Sequence, residues 1–126
     1  MKIDHTNIPN LSIADAEIEI FEGSKDQKSL KIRADKAILM VSGLKNYGKV
    51  NLEFGNWKSI TIRANLEKGK NWEDRDFNEP MQTVSEEDFT SENYRIAGFG
   101  KKTKEWLEYL IAEPQISGSF EIVTES

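Results

Sequence analysis

The chain has 126 residues, a length that allows one domain (1–126) with a real core and not two ordinary ones. Hydrophobic residues make up 37% and charged residues 31%, the balance of a soluble protein, and a formal net charge of -5 argues against non-specific nucleic-acid binding, whose affinity comes from neutralising phosphates. Without cysteine there is no disulfide framework and no thiolate chemistry. No run approaches the roughly 18 apolar residues of a membrane helix, and Met1 to Asn7 lacks the apolar core of a signal peptide, so the expected compartment is cytoplasmic, with no membrane partner.

Residues 1–14 have no clear period, and Pro9 with Asn7 and Asn10 marks an irregular lead-in. Asp15 to Phe21 then alternates, with Ala16, Ile18 and Ile20 against Asp15, Glu17 and Glu19, the pattern of a half-buried strand. After a turn at Glu22 to Lys28, Leu30, Ile32 and Ala34 form a returning face with Lys31 and Arg33 outside. This is a first hairpin, with Glu17 and Glu19 within cross-strand reach of the cations. Asp35-Lys36 breaks the period before Ala37 to Val41, which reads either as a separate central strand or as the same strand continued past a bulge. The lack of turn residues between the two favours the bulge. Ser42 to Gly48 is a predicted loop.

Gly48 to Leu66 is the centre of the chain. Val50, Leu52 and Phe54 alternate on one side of Gly55-Asn56, and Ile60, Ile62 and Ala64 on the other, which predicts a second hairpin with one apolar face. Glu67 to Pro80 loses regular order and reads as a long loop. A short helix is predicted from Ser85, whose side chain can cap it while Glu86, Glu87 and Asp88 suit its positive end. Tyr94 to Phe99 reads as a strand. Thr103 to Ala112 reads as a helix with Trp106, Leu107, Leu110 and Ile111 on one stripe, ended by Pro114, and Ile116 to Val123 as a final strand. The predicted fold is α+β: a mainly antiparallel sheet of about six strands with the C-terminal amphipathic helix packed on it.

Catalytic chemistry is not expected. The only imidazole, His5, lies in the irregular lead-in, and no His or Cys cluster has metal-ligand spacing, so neither an enzyme nor a cofactor or metal site is predicted. Two stretches carry surface chemistry. Gly98, Gly100, Lys101, Lys102 and Thr103 read as a strand-to-helix turn, and the same glycines, lysines and helix start can bind an anion. It lacks the spacing of a phosphate loop and the third glycine of a dinucleotide site. The other stretch is Glu73 to Glu92, with eight acids against the single base Arg75. It is either solvated surface or a docking surface for a basic partner, using Trp72, Glu73, Asp74, Asp76, Phe77, Glu79, Glu86, Glu87 and Asp88. Trp57 and Trp106 read as core residues.

Leu11-Ser-Ile-Ala-Asp-Ala-Glu-Ile-Glu-Ile-Phe resembles the opening of the first hairpin of bacterial polymorphic-toxin immunity proteins of the contact-dependent inhibition type, which carries a His-Asp-Ala-Glu-Ile type motif. Ala14 stands where that motif has histidine. Val-Asn-Leu-Glu-Phe-Gly-Asn-Trp-Lys-Ser-Ile-Thr-Ile, from Val50, looks like the second hairpin of such proteins. The resemblance implies a cytoplasmic, non-enzymatic inhibitor that binds one cognate toxin; with the acidity of the chain, the expected toxin is a basic nuclease. It transfers no individual contact residue. The competing expectation is a small anion- or ligand-binding module built on Gly98 to Thr103.

Overall fold

Period-two burial runs through the long strands of the computed structural model, which describes residues 1–65, 72–77, 79–90 and 92–122. The strands are β1 (Lys2–Ile3), β2 (Leu11–Ser12), β3 (Ile18–Ser24), β4 (Ser29–Val41), β5 (Leu44–Gly55), β6 (Ser59–Asn65), β7 (Trp72–Asp74), β8 (Met81–Thr90), β9 (Asn93–Gly100), β10 (Trp106–Ala112) and β11 (Gln115–Ile122). They form two antiparallel sheets. In the first, β1, β11, β5 and β4 lie side by side, and β2 and β3 share the far edge of β4, one at each of its ends. In the second the order is β7, β6, β10, β9, β8. Inward side chains of both sheets, among them Leu52, Phe54, Ile62, Ile96 and Tyr109, form one buried cluster between them.

The predicted α+β architecture is overturned. Among the described residues the helical structure is a single 3-10 turn, Ile8–Asn10, and no helix is long and apolar enough to cross a membrane. The stretch expected as the C-terminal helix is β10, paired along its length with β6 and β9. Leu107 and Ile111 lie four apart, so they satisfy a helical stripe and a strand face equally. Tyr109 decides between the two: it is buried with them, while Leu110 is 39% exposed. An isolated ten-residue helix is marginal, whereas a central strand satisfies its backbone from both sides. The helix expected from Ser85 is likewise part of β8, which pairs with β9 through two register shifts.

The first hairpin forms, but its opening strand is Ile18–Ser24, not Asp15 to Phe21. A register shift between Ile18 and Ile20 turns Ile20 outward (41% exposed) and Phe21 inward. The expected bulge is present, since the β4–β5 register shifts between Ala34 and Ala37. The second hairpin does not form. β5 lies between β4 and β11 in one sheet, and β6 lies between β7 and β10 in the other. Asn56 does take a positive φ of 46°, but it turns the chain across the sandwich, with Trp57 buried at the corner. The two apolar rows thus face each other across the core and cover one another. A tight hairpin turn sits instead at Ser42-Gly43 (φ 53° and 79°), joining Val41 to Leu44 where a loop was expected. Both central residues have positive φ, as a type I′ turn requires.

Of the predicted loop Glu67 to Pro80, residues 67–71 and 78 lie outside the described residues, and Trp72–Asp74 is strand β7. Val123, the predicted end of the last strand, also lies outside them. A further link joins the sheets between β2 and β3. There the Asp15 amide donates to Val84 O (2.7 Å) and the Val84 amide to Ala16 O (3.1 Å).

Candidate protein-binding face

The two outer faces of the sandwich differ in how their charges are held, and both expose some large apolar groups, Ile20 and Tyr47 on the first. On the first sheet, Lys31 pairs with Glu53 at 3.6 Å, Arg33 with Glu19 at 3.8 Å and Lys49 with Glu19 at 3.9 Å. These are exposed, loosely held pairs that contribute little to stability. On the second sheet, alternation sends Trp106, Glu108 and Leu110 of β10 outward, together with Arg95 and Phe99 of β9 and Arg63 of β6. Phe99 (50% exposed), Leu110 and Trp72 are large apolar groups left at the surface. Phe99 stands directly opposite Trp106, with ring centroids 5.2 Å apart in an edge-to-face pair.

Glu108 organises this face. It is the one charged residue buried among the described residues, at 6% exposure. Arg63 Nε donates to its Oε1 at 2.8 Å and Arg95 Nε to its Oε2 at 2.9 Å, while each Nη2 reaches the same oxygen at 2.7 Å. Burial opposes the charge on Glu108, and the two guanidiniums outweigh it, holding the carboxyl below its usual range. Arg95 Nη1 continues to Glu86 at 3.4 Å, and the Arg63 guanidinium lies 4.0 Å from the Trp72 ring centroid, a cation–π contact. One chain of contacts, Trp72–Arg63–Glu108–Arg95–Glu86, therefore crosses all five strands from β7 to β8.

The acidic segment does not form a single patch. Its strands β7 and β8 are opposite edges of the second sheet, so Asp74 lies at one margin of the face and Glu86 and Asp88 at the other. Others hold the fold. Glu87 accepts the Ile13 amide at 2.9 Å, and burial together with its carboxylate pushes the Tyr94 phenol up. Phe77 is half-buried against Phe21, Trp57 and Tyr109. Asp76 accepts the Phe77 amide at 2.7 Å, and Glu73 pairs with Arg75. Trp57 is in the core as expected, whereas Trp106 is half-buried on the outer face.

The anion-binding turn has a different resident. Gly98 to Thr103 joins strand β9 to strand β10, so no helix N-terminus is present. Its donors close on the chain's own Glu79: the Lys102 amide at 2.7 Å, the Thr103 amide at 2.9 Å and the Thr103 hydroxyl. Burial opposes the Glu79 charge, and these donors outweigh it, so its carboxyl is held below the usual range. The glycines reflect crowding. A Cβ on Gly98 would meet Thr83 O at 2.0 Å, and one on Gly100 the Glu79 carboxylate at 2.6 Å. Lys101 donates its amide to Pro80 O at 2.9 Å. His5 Nε2 accepts the Ile116 amide at 3.4 Å, and no group of three or more His, Cys, Asp or Glu among the described residues is placed to hold a metal ion.

The sequence motifs do not mark Arg63, Arg95, Phe99, Glu108 or Leu110 as site residues. Their signal is the off-beat of the alternation: Trp106-Glu108-Leu110 is too apolar and too charged at once for an ordinary solvent face. Comparison with protein-family models, curated proteins and solved structures finds no match to this chain.

Proposed function

We propose that the protein is a stoichiometric binding module that masks a protein partner through the outer face of the second sheet. The make-up of the second sheet's outer face carries this reading. The first sheet exposes Ile20 and Tyr47 among loosely held ion pairs, whereas the second keeps Trp72, Phe99, Trp106 and Leu110 around a pair of arginines fixed by one buried carboxylate. Large aromatics and arginine at a centre, with carboxylates at the margin, match the make-up of protein–protein contacts. There a few central residues hold the complex and charges steer its approach. Four strands of about seven or more residues and the three-residue β7, spaced about 4.8 Å apart and rising about 3.3 Å per residue, give a face of roughly 500 Å² in projection. With side-chain relief this approaches the ~800 Å² that a standard interface takes from each partner. The resemblance to immunity proteins supports the narrower form of the reading, in which the partner is a toxic basic protein met in the cytoplasm.

The test compares wild type with the Phe99→Arg/Leu110→Arg double variant, whose changed residues are exposed. A protein captured by the wild type is purified and titrated against both by calorimetry. The expected result is one-to-one binding to wild type and a loss of about 30-fold or more in the double variant. Equal binding by the two proteins overturns the assignment of this face.

A further inference from the structure

The margins of the face say more about its partner. Asp74 on β7 is opposite Arg63, and Asp88 on β8 is opposite Arg95, with Glu86 on the same edge as Asp88. Among the described residues neither aspartate forms an ion pair within salt-bridge distance. Four strand spacings of about 4.8 Å separate the two edges, or about 19 Å. Between them the single Glu108 carboxylate is outnumbered by its two arginines, so the centre presents aromatic and leucine surface with no excess negative charge, in contrast to the margins.

We infer that the partner is a basic protein surface whose lysines and arginines stand in two groups about 19 Å apart, on either side of an apolar centre. The inference rests on the assignment of this face as the docking surface. Two copies of the chain fit poorly, because stacking two such faces brings acidic margins against acidic margins. A nucleic-acid backbone is repelled at both edges for the same reason. The spacing also has a kinetic consequence. At physiological salt the Debye length is about 8 Å, less than half the gap, so the two margins attract a partner independently and their effects multiply.

The probes are three synthetic peptides with one apolar six-residue centre containing Trp and Leu, about 20 Å when extended. The first has a Lys-Arg pair at each end, the second at one end only, and the third has Glu pairs at both ends. Fluorescence anisotropy at low and high salt measures their binding to wild type, Asp74→Lys, Glu86→Lys/Asp88→Lys, the combination of these, and Leu110→Arg. The two-ended basic peptide is expected to bind wild type about tenfold tighter than the Glu-ended one. Each margin variant should weaken it several-fold, the combination should show the product, high salt should erase these differences, and Leu110→Arg should weaken every peptide. If only one margin matters, or neither does while Leu110→Arg still abolishes binding, the two-group inference is overturned and the docking face stands. If Leu110→Arg changes nothing, the docking face itself falls. Concentration-dependent dimerisation of wild type in sedimentation, lost in Leu110→Arg, makes a second copy the occupant and overturns the inference as well.

Discussion

Glu108 shows how one residue can be buried, charged and still favourable. Desolvation alone would push its carboxyl toward neutrality, and two guanidiniums in direct contact reverse that. Its folded pKa is therefore below its ordinary 4.5. A lowered carboxyl contributes stability that is complete above the unfolded value and is lost as pH falls through the folded one. Replacing it with Gln leaves two arginines around a neutral amide. Truncating one partner of a fully buried pair costs about 3–5 kcal/mol. Both arginines reach solvent here, so about 2 kcal/mol is expected. Thermal melts of wild type and Glu108→Gln should differ by a constant margin near neutral pH. That margin should shrink below about pH 4.5 as Glu108 takes up its proton. A difference that persists unchanged to pH 3 would mean that packing, not the charge, holds Glu108 in place. The acidic segment divides by the same reasoning: Glu79 and Glu87 accept backbone amides and serve the fold, while Asp74 and Asp88 face solvent.

At the scale of elements, alternation in the sequence located the faces but not the pairing. The apolar rows Val50-Leu52-Phe54 and Ile62-Ala64 are buried as read, with Ile60 half-buried at the end of its row. Strands β4, β9 and β11 lie where the pattern put them, while β3 runs over Ile18–Ser24 instead of Asp15 to Phe21. What local pattern does not encode is which strand sits beside which. Gly55-Asn56 has the chemistry of a hairpin turn, yet the register of β5 is taken by β4 and β11, and burial of Trp57 turns the chain to the opposite sheet. The acidic segment was legible as charge, but its division between two sheet edges depends on pairings made by β6 and β9 elsewhere in the chain. The hairpin that does form uses Ser42 at φ 53°, a conformation that costs most L-residues about 1–2 kcal/mol and that Asn adopts more readily. Ser42→Asn should therefore stabilise the protein by about 0.5–1 kcal/mol, raising the melting temperature by about 2–4 °C. An unchanged or lower melting temperature in Ser42→Asn would show that the turn tolerates serine without strain.

For the whole molecule, the decisive feature is that neither sheet has a core without the other. The crossing at Trp57, the Asp15 and Ala16 bonds to β8, and ring contacts such as Phe54 with Tyr94 (5.0 Å) and Phe21 with Tyr109 (5.1 Å) all run from sheet to sheet. The pairing is non-local as well, since β1 meets β11 at Lys2 and Ser119, near opposite ends of the described chain. Such a topology closes long loops before its contacts form, which places folding in the range of about milliseconds to seconds. A shared core makes unfolding a single cooperative event. The tryptophans allow a direct check, because Trp57 lies between the sheets while Trp72 and Trp106 lie on the outer face. In a Trp72→Phe/Trp106→Phe variant, the remaining fluorescence reports the inter-sheet core alone. Its urea transition should coincide with that of the far-ultraviolet circular dichroism, which reports all strands. If the fluorescence transition comes first, the sheets separate before they melt, and the outer face of the second sheet then belongs to an independently stable layer.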